Sequence, residues 1–136
     1  YPAIGQAFWM ARHISVKRGD RDSAQRCMET VDAWLRRGVS VLFFPEGTRK
    51  VDGVLGPFKS GAFRAALSAK VPIAPVTISG ARELMSPRGV PQLGWGRVQL
   101  TIHPLIRTEG KDKDGLATET RTAILEGLAK AGGKDE

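Results

Sequence analysis

The sequence predicts an α/β domain with a mixed, largely parallel sheet flanked by helices. Three observations point there. Segments of helical and strand spacing alternate along the chain, in the order helix, strand, helix, strand, helix, strand, strand, helix. The 136 residues suffice for one hydrophobic core. Apolar residues make up 41% and charged residues 26%, a balance that excludes a disordered polar chain.

Each element has its own reason. Gly5 to His13 is apolar with few polar interruptions and reads as a short buried helix. Ile14-Ser15-Val16 reads as a short strand ending at Lys17-Arg18-Gly19-Asp20. Residues 23–37 are the clearest helix, because Ala24, Cys27, Met28, Val31, Trp34 and Leu35 recur at helical spacing. Asp22 is expected to cap it, with Gln25 three residues on, and Gly38 to stop it. Val39-Ser40-Val41-Leu42-Phe43-Phe44 is apolar enough to be a strand buried on both faces, and Pro45 ends it.

Gly56 to Lys70 holds a second helix, with Phe63, Ala66 and Leu67 inward. Val71 to Ile78 reads as a strand whose early Pro72 sits where a missing N–H is tolerated. Met85 to Gly96 is a Pro/Gly-rich loop, a candidate for contact with a membrane surface or an ordinary connection. Arg97 to Ile106 alternates, with Val98, Leu100 and Ile102 on one face and Gln99, Thr101 and His103 on the other. Residues 115–130 form a last helix, with Leu116, Ile124 and Leu128 near one stripe.

Several functions are excluded at this level. Apolar runs such as Val41 to Pro45 are far below the roughly 20 residues that cross a bilayer. Cys27 has no second cysteine, so no internal disulfide and no zinc cage form, and His13 and His103 add little. No metal and no cofactor is expected. The chain opens on Tyr1-Pro2-Ala3, without Met or a leader pattern, and is expected to be a single domain over 1–136 lacking its N-terminal part.

Charge narrows the partners. Residues 1–107 carry 16 Lys and Arg against 7 Asp and Glu, whereas 108–136 carry 5 against 7. A basic body suits nucleic acid, anionic lipid, a phosphate ester or an acidic carrier protein, or simply a solvated surface. The aromatic residues are 7% and fall mostly at core-like positions, so no base-stacking platform is evident and nucleic acid is not expected.

In open α/β sheets, ligands bind beyond the carboxyl ends of strands. Two strands here end in basic turns, Lys17 to Arg21 and Pro45 to Lys50. Arginine grips phosphate through a planar fork of donors, Gly47 admits close backbone approach, and Thr48 adds a hydroxyl. Glu46 either holds a substrate hydroxyl or orients Arg49. Lys59 either reaches an anion or sits exposed at a helix start.

Phe44-Pro45-Glu46-Gly47-Thr48-Arg49 resembles, without a mismatch, the third sequence block of the glycerolipid acyltransferase superfamily, and most closely its 1-acylglycerol-3-phosphate (lysophosphatidate) branch. Ile14 to Arg18 is loosely similar to the second block. Val71-Pro72-Ile73-Ala74-Pro75 matches the fourth, and Phe58 to Phe63 matches the Phe-Lys-x-Gly-Ala-Phe piece between them. The resemblance covers about residues 1–107 and implies a glycerol-phosphate acyltransferase-like fold. It implies that Arg18, Thr48 and Arg49 bind the acceptor phosphate and that Glu46 and Gly47 line the acceptor glycerol site. Val71, Pro72 and Pro75 would shape the pocket, or simply mark an edge strand. It implies lysophosphatidate as acceptor, acyl-CoA or acyl-carrier protein as donor, a membrane surface as partner, and a plastid or bacterial inner membrane as location.

The catalytic block of that family, His-x-x-x-x-Asp, is missing. Five residues after His13 stands Arg18, and five after His103 stands Thr108. The dyad is therefore expected upstream, and the chain alone is expected to be inactive. The alternative is a catalytically degenerate member that only holds a lipid phosphate.

Overall fold

The computed structural model describes residues 13, 14, 16, 19–47, 54–84 and 95–132. The expected helix over 5–13 lies mostly outside them. The chain divides into two compact units, Tyr1–Leu42 and Phe43–Glu136.

The first unit is built on α1, Arg21–Arg36. Its cap is Asp20, whose Oδ1 accepts from the Ser23 N–H at 3.0 Å. That corrects the expected capping by Asp22, which lies inside the first turn. Asp20 has the extended backbone a cap needs and stands three residues before the N–H it accepts from. The helix ends as expected at Gly38, whose φ of 76° no β-carbon opposes. The Gly38 N–H donates to Leu35 O and the Val39 N–H to Trp34 O, each at 3.0 Å, which is a Schellman closure. Of the expected apolar face, Val31 is buried, Cys27, Met28, Trp34 and Leu35 are half-buried, and Ala24 is exposed.

Val39 to Phe44 forms no strand, contrary to expectation; Leu42 is 75% and Phe44 69% exposed. Apolarity marks a segment that belongs in a core, but a strand exists only where neighbours take its backbone bonds. None of the described residues does so here. Ile14 and Val16 likewise carry no strand geometry.

The second unit holds α2, Gly61–Ala69; β1, Val76–Ser79; the short α3, Ala81–Leu84; β2, Gln99–Ile102; and α4, Lys113–Gly132. β1 and β2 pair antiparallel, with Val76 opposite Ile102 and Ile78 opposite Leu100. An isolated bridge joins Ile73 and Ile106 through two bonds of 2.9 and 2.8 Å. Three residues on one side, His103 to Leu105, therefore face two on the other, Ala74 and Pro75. This bulge sits where Pro75 and Pro104 have no N–H to give.

The core of this unit is Phe63 of α2, Ile106 and Leu116 of α4, with Phe58, Leu67, Ile73 and Ala117 packed around them. Ala66 and Leu67 face inward with Phe63, as the spacing predicts. α4 starts on Asp112, whose Oδ1 accepts from the Gly115 N–H at 2.8 Å. Its most buried positions are Leu116, Thr120 and Gly127, while Ile124 and Leu128 are half-buried. Gly127 lies directly on Thr77 and His103; an added Cβ would stand 2.7 Å from His103 Nε2. α4 thus covers the sheet face that carries Thr77. The face with Ile78, Leu100 and Ile102 is 44%, 64% and 76% exposed.

Candidate functional site

Two segments converge around the basic turn. Pro45 and Glu46 form a turn closed by the Gly47 N–H on Phe44 O at 3.0 Å. Gly47 takes a φ of 70°, in the left-handed region that glycine enters freely. The second segment, Val54 to Ser60, leads into α2. Hydrogen bonds join the segments. The Gly56 N–H donates to Glu46 Oε2 at 2.8 Å, and the Lys59 N–H donates to Pro45 O at 2.8 Å.

The second segment is itself anchored. Phe58 stacks on Phe63 with ring centroids 6.2 Å apart and planes 14° apart. Arg121 of α4 donates from a terminal guanidinium nitrogen to Leu55 O at 2.9 Å. An open groove of about 470 Å³ lies alongside, lined by Leu55 to Phe58 and by Asp114, Ala117, Thr118 and Arg121. The Phe58 to Phe63 piece that the sequence singled out is therefore a clamp. Its aromatic ends sit in or against the core and hold its lysine beside Gly47.

Of the sequence-derived site residues, Glu46 and Gly47 come together here. Oε2 of Glu46 is occupied by the Gly56 N–H, so the carboxylate fixes the turn whatever else it holds. Arg18, Thr48 and Arg49 lie outside the described residues. Val71, Pro72 and Pro75 lie beyond the far end of α2, whose nine residues span roughly 13 Å at 1.5 Å each. There the Val71 N–H closes the helix on Ala66 O at 3.1 Å, and the Pro75 carbonyl accepts from the His103 N–H at 3.0 Å. Pro75 is buried and Pro72 exposed.

His13 is exposed. His103 packs against the sheet, with Nε2 2.8 Å from Thr77 Oγ1. The same hydroxyl is within donating distance of Ile124 O, at 3.2 Å. Burial pushes the Cys27 thiol above its ordinary pKa, which keeps it protonated and a poor nucleophile. Among the described residues no three acidic, cysteine or histidine side chains converge as a metal site needs.

The sequence missed Gly56 and Arg121. A backbone donor carries no side-chain signal, and Arg121 reads as an ordinary exposed face of a helix.

Known proteins supply the context. A family model described as Acyltransferase matches residues 1–79. The chain is 41% identical over 131 residues to the chloroplastic 1-acyl-sn-glycerol-3-phosphate acyltransferase BAT2 of Brassica napus, covering 93% of this chain and 36% of that one. It is 36% identical over 127 residues to the alpha enzyme of the same name from Mus musculus, covering 90% of this chain and 45% of that one. The Escherichia coli enzyme of that name is 42% identical over 79 residues, 57% of this chain and 32% of its own length. The chain thus spans between a third and a half of most such relatives. The crystal structure of the 1-acyl-sn-glycerophosphate acyltransferase PlsC of Thermotoga maritima is similar with a TM-score of 0.72 at 29% identity, over 79% of this chain and 44% of that one. With a family model matched across more than half its length, the chain belongs to the acyltransferase family.

Proposed function

We propose that the protein carrying this chain moves a fatty acyl group from a thioester, acyl-CoA or acyl-carrier protein, to the free hydroxyl of lysophosphatidate, giving phosphatidate. The observation that carries the reading is the sequence block Phe44 to Arg49, whose Glu46 and Gly47 lie on a turn fixed by the Glu46 bond to the Gly56 N–H. An arginine in such a block would offer a phosphomonoester bidentate donors, and Gly47 close backbone approach. Arg18, Thr48 and Arg49 are assigned to the phosphate, Glu46 and Gly47 to the glycerol end, and Val71, Pro72 and Pro75 to the pocket wall.

The reaction needs a base. The acceptor hydroxyl oxygen attacks the thioester carbonyl, its proton passes to a histidine, and the thiolate leaves and is reprotonated. No His-x-x-x-x-Asp occurs in these 136 residues, so this reading places the dyad elsewhere in the natural protein and expects the chain alone to be inactive. No described helix is long and apolar enough to cross a membrane. The formal charge of +7 favours an anionic membrane surface, where the lipid acceptor resides. Named relatives include chloroplastic and bacterial enzymes, and a plastid or bacterial inner membrane is the proposed location.

The test is phosphatidate formation by the natural protein from lysophosphatidate and each donor, with Arg49→Ala beside it. The variant should raise the acceptor KM by about tenfold or more, the loss of a charge-assisted bond. An unchanged acceptor KM overturns the assignment. Tight lysophosphatidate binding without turnover selects the degenerate, binding-only member instead.

A further inference from the structure

Arg121 of α4 and Glu46 of the basic turn are joined through one peptide unit. The Arg121 guanidinium donates to Leu55 O at 2.9 Å. The N–H of that same peptide, belonging to Gly56, donates to Glu46 Oε2 at 2.8 Å. A cation therefore sits at the negative end of the Leu55–Gly56 peptide dipole and an anion at its positive end. Both bonds are charge-assisted, and each polarises the peptide in the sense that strengthens the other.

The surroundings hold this bridge in place. Gly56 is buried, and Glu46, Leu55 and Arg121 are half-buried, so water competes weakly for the two bonds. Pro57 follows without an N–H, which leaves Gly56 as the donor at this point of the segment. The guanidinium comes from a fixed backbone, because α4 is anchored by Leu116 in the core and by Gly127 on Thr77 and His103. A carboxylate is planar, so holding Oε2 restricts where Oε1 can lie. In the acyltransferase reading this carboxylate meets the glycerol end of the acceptor.

We infer that Arg121 is a positioning residue of the acceptor site, holding the Glu46 carboxylate in its receiving orientation through the Leu55–Gly56 peptide. The inference rests on the acyltransferase reading of Glu46. It concerns a residue outside the sequence blocks and beyond residue 79, where the family match ends.

The experiment uses the natural protein carrying this chain. Acceptor KM, donor KM, kcat and melting temperature are measured for Arg121→Met, Arg121→Lys, Glu46→Ala and the double variant Arg121→Met with Glu46→Ala. Lys130→Met, exposed on the same helix, is the control. Arg121→Met keeps most of the stem and removes the donors. It should raise the acceptor KM about fivefold while the donor KM stays within about twofold, and Arg121→Lys should recover part of the loss. Lys130→Met should move neither. In the Glu46→Ala background Arg121→Met should add less than about twofold, because the bond it supports is already gone. A full fivefold rise in that background means that Arg121 acts apart from Glu46 and overturns the inference. An acceptor KM raised by Glu46→Ala but unmoved by Arg121→Met also overturns it and leaves the acyltransferase reading standing. If Glu46→Ala leaves the acceptor KM unchanged, the reading of Glu46 falls and the inference with it. A rise shared equally by the donor KM, or tracking a lowered melting temperature, makes the arginine a packing residue and overturns the inference. Where Arg121→Met unfolds under assay, the same cycle run with Arg121→Lys decides.

Discussion

The carboxylate of Glu46 accepts from the backbone N–H of Gly56, ten residues later, at 2.8 Å. Gly56 is buried, so that N–H has no ready substitute partner in water. Glu46→Ala should cost about 1–3 kcal/mol in denaturant unfolding, whereas Glu46→Gln, which keeps an acceptor oxygen, should cost less than half of that. Equal losses for the two would show that the charge, and not the bond to Gly56, holds the turn.

Gly127 lets α4 settle onto Thr77 and His103. Gly127→Ala gains helix propensity but forces a β-carbon into the Thr77–His103 contact. We expect net destabilisation of about 1–3 kcal/mol by overpacking, read as a lowered denaturation midpoint. A stabilised variant would mean that α4 has room to shift away from the sheet.

Lys70 ends α2 with φ 54° and ψ 40°, the left-handed conformation in a residue that has a Cβ. Its place closes the helix, with the Val71 N–H on Ala66 O at 3.1 Å. Lys70→Gly should raise stability by about 1 kcal/mol, since glycine enters this region without the steric cost. Thermal unfolding checks it, with Lys70→Ala expected to give no such gain.

Burial raises the Cys27 thiol pKa above that of a free cysteine. The folded state then disfavours the thiolate. Stability is whole below the unfolded thiol pKa and declines as pH rises through that value toward the folded one. At about pH 8.5 the native chain should react with iodoacetamide more slowly than the denatured chain does. Equal rates would place the thiol in water.

The sequence by itself determined what is local or chemical. α1 is legible because its apolar spacing and Gly38 act within one stretch of chain, and only the choice of Asp20 over Asp22 needed the observed backbone. α2 and α4 were legible for the same reason. The Phe44 to Arg49 block announced the family because six residues in an unbroken order are information that folding does not alter. Tertiary structure decided the rest. Alternation in β2 names two faces without saying which one a helix covers, and α4 covers the side of Thr77, which is 1% exposed, leaving Ile102 at 76%. The small residues Thr120 and Gly127 are buried because a helix approaches a sheet closely only where side chains are short, a property that hydrophobicity does not register. Val39 to Phe44 has the composition of a strand without the partners, since strand formation depends on hydrogen bonds from elsewhere in the chain. Lys59 reads as any exposed lysine until folding brings the end of its side chain against Gly47, twelve positions earlier, with its N–H on Pro45 O and Phe58 stacked on Phe63.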